Sequence, residues 1–314
     1  MKGVGPAVNP WPVGRRSSAR APGAGPAQAT ARANAPNVPL VQIGKTIHDG
    51  AMTTTITSPG LAELRDVAVE LAWIGGRRTL GYFQTGLVPE MKADGSPVTL
   101  ADRDAETAMR AILKARYPDH GIVGEEHGEE RGRVPIRWII DPIDGTRTFV
   151  RGVPFYGTLV GVEVEGEPVV GAIYIPALDE MVAAAKGLGC TWNGRPCRVS
   201  TRTAMSDALV VATDLGAIER RLGSGDSRAL WDSTGMQRTW ADCYSYVLLA
   251  TGRAEIAMDA VMALWDNAAL LPCIEEAGGR FTSWRGERTI AGGDSVATNG
   301  HLHETVLGHL RRAV

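Results

Sequence analysis

The sequence predicts an α+β half built on an antiparallel sheet, followed by a smaller α/β half. Three observations carry that fold class. Two stretches of helical periodicity, 60–85 and 99–117, precede five short apolar runs separated by Gly, Pro and acidic turns. Such runs are the pattern of consecutive strands in a meander. Beyond residue 198 single strands alternate with helices, as in an α/β layer. The expected domains are a head at 1–51, an α+β domain at 52–198 and an α/β domain at 199–314.

The head is a different material from the rest. Residues 1–51 hold 10 Ala, 7 Pro, 7 Gly, six basic residues and one acid, Asp49, with no regular period. Too little apolar surface can be buried there to offset chain entropy, so disorder is expected. Arg15-Arg16 lacks the apolar run of an export signal, and the Pro and Gly content fits a transit helix badly. Met52 is the expected start of the native product, with Ser58 as N-cap and Pro59 at the first helical position.

In the first helix Leu61, Leu64, Val67, Ala68, Leu71 and Ala72 form one apolar stripe. The second starts at Leu100-Ala-Asp102, carries Ala108, Ile112 and Leu113 on one face and is closed by Pro118. Strands are expected at 122–123, 138–140, 156–164, 169–175 and 181–185. In the second half 209–212 and 254–258 read as strands, and 227–233, 239–250 and 265–277 as helices. Gly278-Gly279 supplies the last helix's stop.

Composition excludes several classes. The 314 residues carry 33 Lys and Arg against 35 Asp and Glu, a net of −2, which argues against a nucleic-acid coat. From Met52 onward 27 basic residues face 34 acidic ones, a net of −7. Four cysteines without a C-x-x-C argue against a disulfide scaffold or structural zinc. No apolar run approaches 18 residues, so no membrane-spanning helix is expected.

The densest chemistry is Trp138-Ile-Ile-Asp141-Pro-Ile-Asp144-Gly145-Thr146. An apolar strand delivers Asp141, Pro142 turns the chain, and Asp144 can fold back beside Asp141 with the Ile143 carbonyl between them. Two carboxylates and a carbonyl oxygen make a hard-cation site. Gly145 and Thr146 then open a helix whose first N–H groups lack intrahelical partners and suit an anion. Glu125, after the 122–123 strand, and Asp266, at a helix start, supply more acid. Adjacent cation and anion sites are what a metal-assisted phosphatase requires, because metal ions acidify water and neutralise the oxygens of an in-line displacement.

Four motifs, Ser96-Pro-Val-Thr-Leu-Ala-Asp102, Gly124-Glu-Glu126, Asp141-Pro-Ile-Asp-Gly-Thr146 and Trp265-Asp-Asn-Ala-Ala-Leu270, together resemble the inositol-monophosphatase superfamily from about Leu61 onward. The resemblance implies a layered αβαβα sandwich, an antiparallel-sheet domain packed on a smaller α/β domain. It also implies a cytoplasmic, lithium-sensitive, homodimeric phosphomonoesterase using two or three Mg²⁺. Carried onto this sequence, Glu125, Asp141 and the Ile143 carbonyl would hold one Mg²⁺, and Asp141, Asp144 and Asp266 a second. A third ion would lean on Glu125. Asp102 and Thr146 would orient and deprotonate the attacking water, while Asp144 and the Gly145 and Thr146 amides would hold the phosphate.

Arg147–Leu159, Asp242–Glu255 and Trp265–Gly279 are most similar to the histidinol-phosphate phosphatases of this fold. Tyr156, Ala241 and Ser245 depart from that group's usual Trp, Gly and Gly. Histidinol phosphate is a small metabolite with an ammonium and an imidazole, so its site should offer carboxylates beyond the metal ligands. Asp259 and Asp242 are the candidates. Inositol 1-phosphate, or a broad range of sugar and polyol phosphates, is the alternative substrate, and a silent phosphate-ester binder the non-enzyme alternative. His301 and His303 are expected at the surface, the cysteines idle, Trp73, Trp240 and Trp284 in core or interface, and Glu126, Glu129 and Glu130 in a solvated loop.

Overall fold

The computed structural model describes residues 60–93, 95–240 and 242–311. The head, the Met52 start, the Ser58-Pro59 cap and Ala241 lie outside the described residues. Those described fall into one compact unit.

Helix α1 (Leu61–Leu80) buries Leu64, Val67, Ala68, Leu71 and Ala72, and ends at Gly81, short of the expected residue 85. A small hairpin, β1 (Glu90–Met91) with β2 (Pro97–Val98), leads into α2 (Leu100–Arg116). Thr99 caps α2 in a capping box with Asp102.

The large sheet follows: β3 (Gly121–Gly124), β4 (Gly128–Glu130), β5 (Ile136–Asp144), then, after the short α3 (Thr146–Val150), β6 (Gly157–Val164), β7 (Glu167–Ile175), β8 (Glu180–Ala185), β9 (Gly189–Trp192) and β10 (Arg195–Pro196). Its order is β10-β9-β8-β7-β6-β5-β3-β4. From β5 to β10 it is the expected antiparallel meander. The first strand departs from that expectation. β3 pairs in parallel with β5, because β4 hairpins back along β3 and residues 131–135 return the chain to the starting end. The ends of β3 and β5 therefore emerge together, Gly124 opposite Ile140.

The second half contains β11 (Leu209–Ala212), α4 (Leu215–Leu222), α5 (Ser224–Asp232), β12 (Met236–Arg238), α6 (Asp242–Ala250), β13 (Ile256–Asp259), α7 (Leu264–Glu276), β14 (Arg280–Thr282), β15 (Ser295–Thr298) and α8 (His303–Leu310). Its sheet runs β12-β11-β13-β15-β14, parallel at β12, β11 and β13. Helix α4 escapes a periodicity reading because it has only eight residues, and Asp214 caps it by accepting from the Ala217 N–H.

Apolar cores cement five layers. Leu64 and Leu71 of α1 and Met109 and Leu113 of α2 meet Trp138, Ile140, Val160 and Val170 on one face of the large sheet. Ile139, Leu159 and Ile173 on the opposite face join Tyr246 and Val247 of α6, Leu270 and Ile274 of α7, and Val211 and Ala257 of the small sheet. Beyond it, Val210, Ile256, Met258 and Val296 pack on α4, α5 and α8. The alternation of Trp138, Ile139 and Ile140 between cores is the two-residue period of a strand buried on both faces. The result is the αβαβα sandwich.

Helix α7 lies unusually close to the large sheet. Gly161 and Gly171 are direct cross-strand partners on β6 and β7, and a methyl group on either would strike the α7 backbone at Ala268 or Ala269. Gly171→Ala is expected to destabilise the fold by about 1–3 kcal/mol. An unchanged thermal melt would refute that contact.

His303 corrects the surface expectation. It is fully buried on α8, its ring nitrogens 3.0 Å from Thr282 Oγ1 and 3.1 Å from Thr298 Oγ1, tying β14 to β15. Burial drops its pKa to about 4. His301 is exposed and Trp284 is buried.

Candidate active site

The centre of the site is the end of β5. Asp141 pairs with Leu159 and Asp144 with Gly157, so β5 spends one residue more than β6 between them. That extra residue is a bulge. Pro142, without an N–H, does not end the strand as expected but bends it within the ladder. The bulge lets Asp141 and Asp144 face the same space, and Asp141 Oδ1 accepts the Ile143 N–H at 3.0 Å.

Asp266 arrives from α7. It sits three residues inside the helix, where one oxygen accepts the Ala263 N–H at 2.7 Å. Asp102 occupies the equivalent position of α2, with Oδ2 accepting the Thr99 N–H at 2.7 Å and the Thr99 hydroxyl at 2.6 Å. Both carboxylates thus spend one oxygen on a helix N-terminus, where the dipole favours negative charge. The other oxygen of Asp102 lies 3.3 Å from Thr146 Oγ1, which also stands 3.1 Å from the Ile143 carbonyl.

Asp141, Asp144 and Asp266 each present an oxygen within 4.8 Å of the others. Burial raises Asp141 well above the carboxylate range, and Glu125, Asp144 and Asp266 raise it further. Asp144 rises for the same reason, with Asp242 and Asp266 as its negative neighbours. Burial carries Asp266 and Asp102 up to about 6. A donor set made only of hard, mutually repelling oxygens fits a divalent cation such as Mg²⁺.

Glu125 extends from the end of β3, its N–H donating to the Ile140 carbonyl at 3.3 Å. Its Oε1 is 2.7 Å from Lys92 Nζ, which also meets Glu126 Oε1 at 2.7 Å. Burial opposes the Lys92 charge, but these two carboxylates hold its pKa above the ordinary lysine range. The expected solvated acidic loop forms only in part. Glu126 has a side chain only 5% exposed in this ion pair, whereas Glu129 and Glu130 are exposed as expected but on strand β4. Lys92 escapes sequence reasoning because it stands 33 residues before Glu125 in an irregular segment.

Gly145 caps α3 with φ 85°, a left-handed conformation suited to glycine. A methyl there would also lie 2.5 Å from Asp242 Oδ2. Asp242 is thus brought against the Gly145 turn, with Oδ2 accepting from the Thr148 hydroxyl at 2.6 Å. Its backbone is itself left-handed, φ 51°, at the first residue of α6. The next N–H, of Cys243, donates to Asp144 Oδ2 at 2.6 Å.

Asp259 is placed differently. It is 5% exposed at the end of β13, with one oxygen accepting the Thr213 N–H at 2.9 Å and the other the Tyr246 hydroxyl at 3.1 Å. Burial lifts it to about 7. Both oxygens are committed to holding the small sheet's loop and α6.

The profile of the inositol monophosphatase family matches residues 60–314. The chain belongs to the inositol monophosphatase family. Within it, the chain is 42% identical over 233 residues to a histidinol-phosphatase of Chlorobaculum parvum, covering 74% of this chain and 90% of that one. It is 31% identical over 264 residues to an inositol-1-monophosphatase of Rhizobium meliloti, covering 80% and 97%. An inositol monophosphatase structure from Zymomonas mobilis superposes with a TM-score of 0.72 at 32% identity, covering 81% of this chain and all of that one. The protein is a phosphatase of this family, and no helix among the described residues is long and apolar enough to cross a membrane.

Proposed function

We propose that the protein is a Mg²⁺-dependent phosphomonoesterase that hydrolyses L-histidinol phosphate to L-histidinol and phosphate. The observation that carries the substrate assignment is Asp242, a half-buried carboxylate against Gly145 and outside the Asp141, Asp144 and Asp266 trio. A carboxylate beside a phosphate cradle repels the anion unless it meets a cation, and the ammonium of histidinol phosphate supplies one. The name of the Chlorobaculum parvum relative supports the same reading.

Glu125, Asp141 and the Ile143 carbonyl would hold one Mg²⁺, and Asp141, Asp144 and Asp266 a second. When bound, the metal supplies charge neutralisation for the transferred phosphoryl group and acidifies water. The protein's own groups do the rest. The Gly145 and Thr146 amides and the α3 terminus orient the phosphate. The Thr146 hydroxyl, close to Asp102, accepts the water's proton while passing its own to that carboxylate. A pKa of about 6 makes Asp102 a base that is ionised at neutral pH yet able to take a proton. Asp242 receives the substrate's ammonium.

The test is phosphate release with and without Mg²⁺ from histidinol phosphate, inositol 1-phosphate, fructose 1,6-bisphosphate and 3′-phosphoadenosine 5′-phosphate. Histidinol phosphate should be preferred at least about tenfold in kcat/KM, and Asp242→Asn should lower that value by about 10- to 100-fold, as for loss of a charge-assisted hydrogen bond. Inositol 1-phosphate, hydrolysed by the Rhizobium meliloti relative's namesake activity, should be little affected by the substitution. Equal efficiency on the two esters overturns the assignment.

A further inference from the structure

Asp102, Glu106 and Arg110 recur every four residues on α2 and share one face of the helix. Asp102 belongs to the site just described. Glu106 and Arg110 follow it along the helix and are also buried, with side chains 0% and 5% exposed. A buried charge is costly unless every oxygen is satisfied, and here each one is. Glu106 Oε1 accepts from Arg110 Nε at 2.7 Å and from the His127 N–H at 3.1 Å, while Oε2 accepts the Glu126 N–H at 2.7 Å. Arg110 reaches on to Glu130 at 3.0 Å and to the Gly128 carbonyl.

We propose that Glu106 is the positioning residue for Glu125, a buried carboxylate clamp that fixes the backbone from which the metal-facing side chain projects. Two peptide planes flank Glu125. The N–H of the first donates to the Ile140 carbonyl on β5, and the N–H of the second, that of Glu126, donates to Glu106. With both planes held, the φ and ψ of Glu125 are set, and its carboxylate starts from one fixed point. Gly124 completes the fit, since a methyl there would overlap Glu106 Oε1. The clamp demands an acceptor-only group. A glutamine would turn an NH₂ toward a backbone N–H or the guanidinium, because every partner of Glu106 is a donor.

This inference rests on the reading of Glu125 as a metal ligand, so the experiment separates the two. Mn²⁺ affinity is measured on the full chain by the electron paramagnetic resonance signal of free Mn²⁺, with thermal melting alongside. Outer-shell substitutions weaken metal binding by about 10- to 100-fold, and Glu106→Gln is expected to raise the Mn²⁺ Kd within that range. Arg110→Lys, which keeps the charge but loses the fork, should raise it by a smaller factor and decides the matter if Glu106→Gln does not fold. Glu125→Gln is the control. If it leaves the Kd unchanged, the ligand reading fails. If it weakens binding while the clamp variant changes the Kd less than twofold, with or without a lower melting temperature, Glu106 is structural only and the proposal is overturned.

Discussion

Asp141→Asn is expected to abolish turnover, by about a thousandfold or more, while the protein stays folded. The first half follows from position. Asp141 is 1% exposed, central among Glu125, Asp144 and Asp266, and is the residue assigned to both proposed cation sites. Loss of several kcal/mol of charge stabilisation in the transition state corresponds to about that factor. The second half follows from its hydrogen bond. The asparagine carbonyl can still accept the Ile143 N–H, so the bulge of β5 keeps its internal tie. Removing one buried negative charge from a repelling group should even raise the melting temperature of the metal-free protein. Phosphate release and a thermal melt in chelator check both halves, and near-wild-type activity would sink the mechanism.

The metal-free protein is expected to lose stability as pH rises, and Mg²⁺ to restore it most at the alkaline end. Asp102 and Asp266 move from an ordinary 3.8 to about 6 in the fold, and Asp259 to about 7, in each case chiefly through burial. A carboxyl with a raised native pKa binds protons in the folded chain at pH values where the unfolded chain has released them. Stability from these groups is therefore present below about pH 4 and lost as pH rises through 6 to 7. Cations bound to the ionised trio reverse the trend, because they bind the folded chain alone. Melting temperatures from pH 5 to 8, in chelator and in Mg²⁺, check this. A metal-free melting point that climbs across that range, or a Mg²⁺ increment larger at pH 5 than at pH 8, would contradict it.

How much of this was legible in the sequence depends on distance along the chain. Asp141, Asp144, Gly145 and Thr146 sit within one motif, so local geometry alone brings them together, and Asp141 and Asp144 present their oxygens to one space. Asp102 and Asp266 were readable as helix-start acids because the capping position ties each to its helix. Glu106 was not. Its partners Glu126 and His127 lie about twenty residues on, and an i, i+4 Glu–Arg pair looks the same on paper whether buried or solvated. Lys92 and the parallel pairing of β3 with β5 were hidden for a related reason, since strand direction depends on how an irregular return segment folds. His303 looked like surface because nothing local shows that Thr282 and Thr298 converge on it.

By itself, then, the sequence determined the secondary-structure periods, the separateness of the head's composition and the cluster of carboxylates proposed to face the metal. Each of these is a matter of near neighbours: side-chain period, chain entropy, or a turn that Pro and Gly dictate. Tertiary structure alone decided that β3 and β5 emerge side by side, that paired glycines let α7 lie close to the large sheet, and that Asp242 faces the Gly145 turn while Asp259 is spent inside the fold. Those outcomes turn on which surfaces are buried against one another, and burial is a property of the packed chain that no local stretch of residues contains.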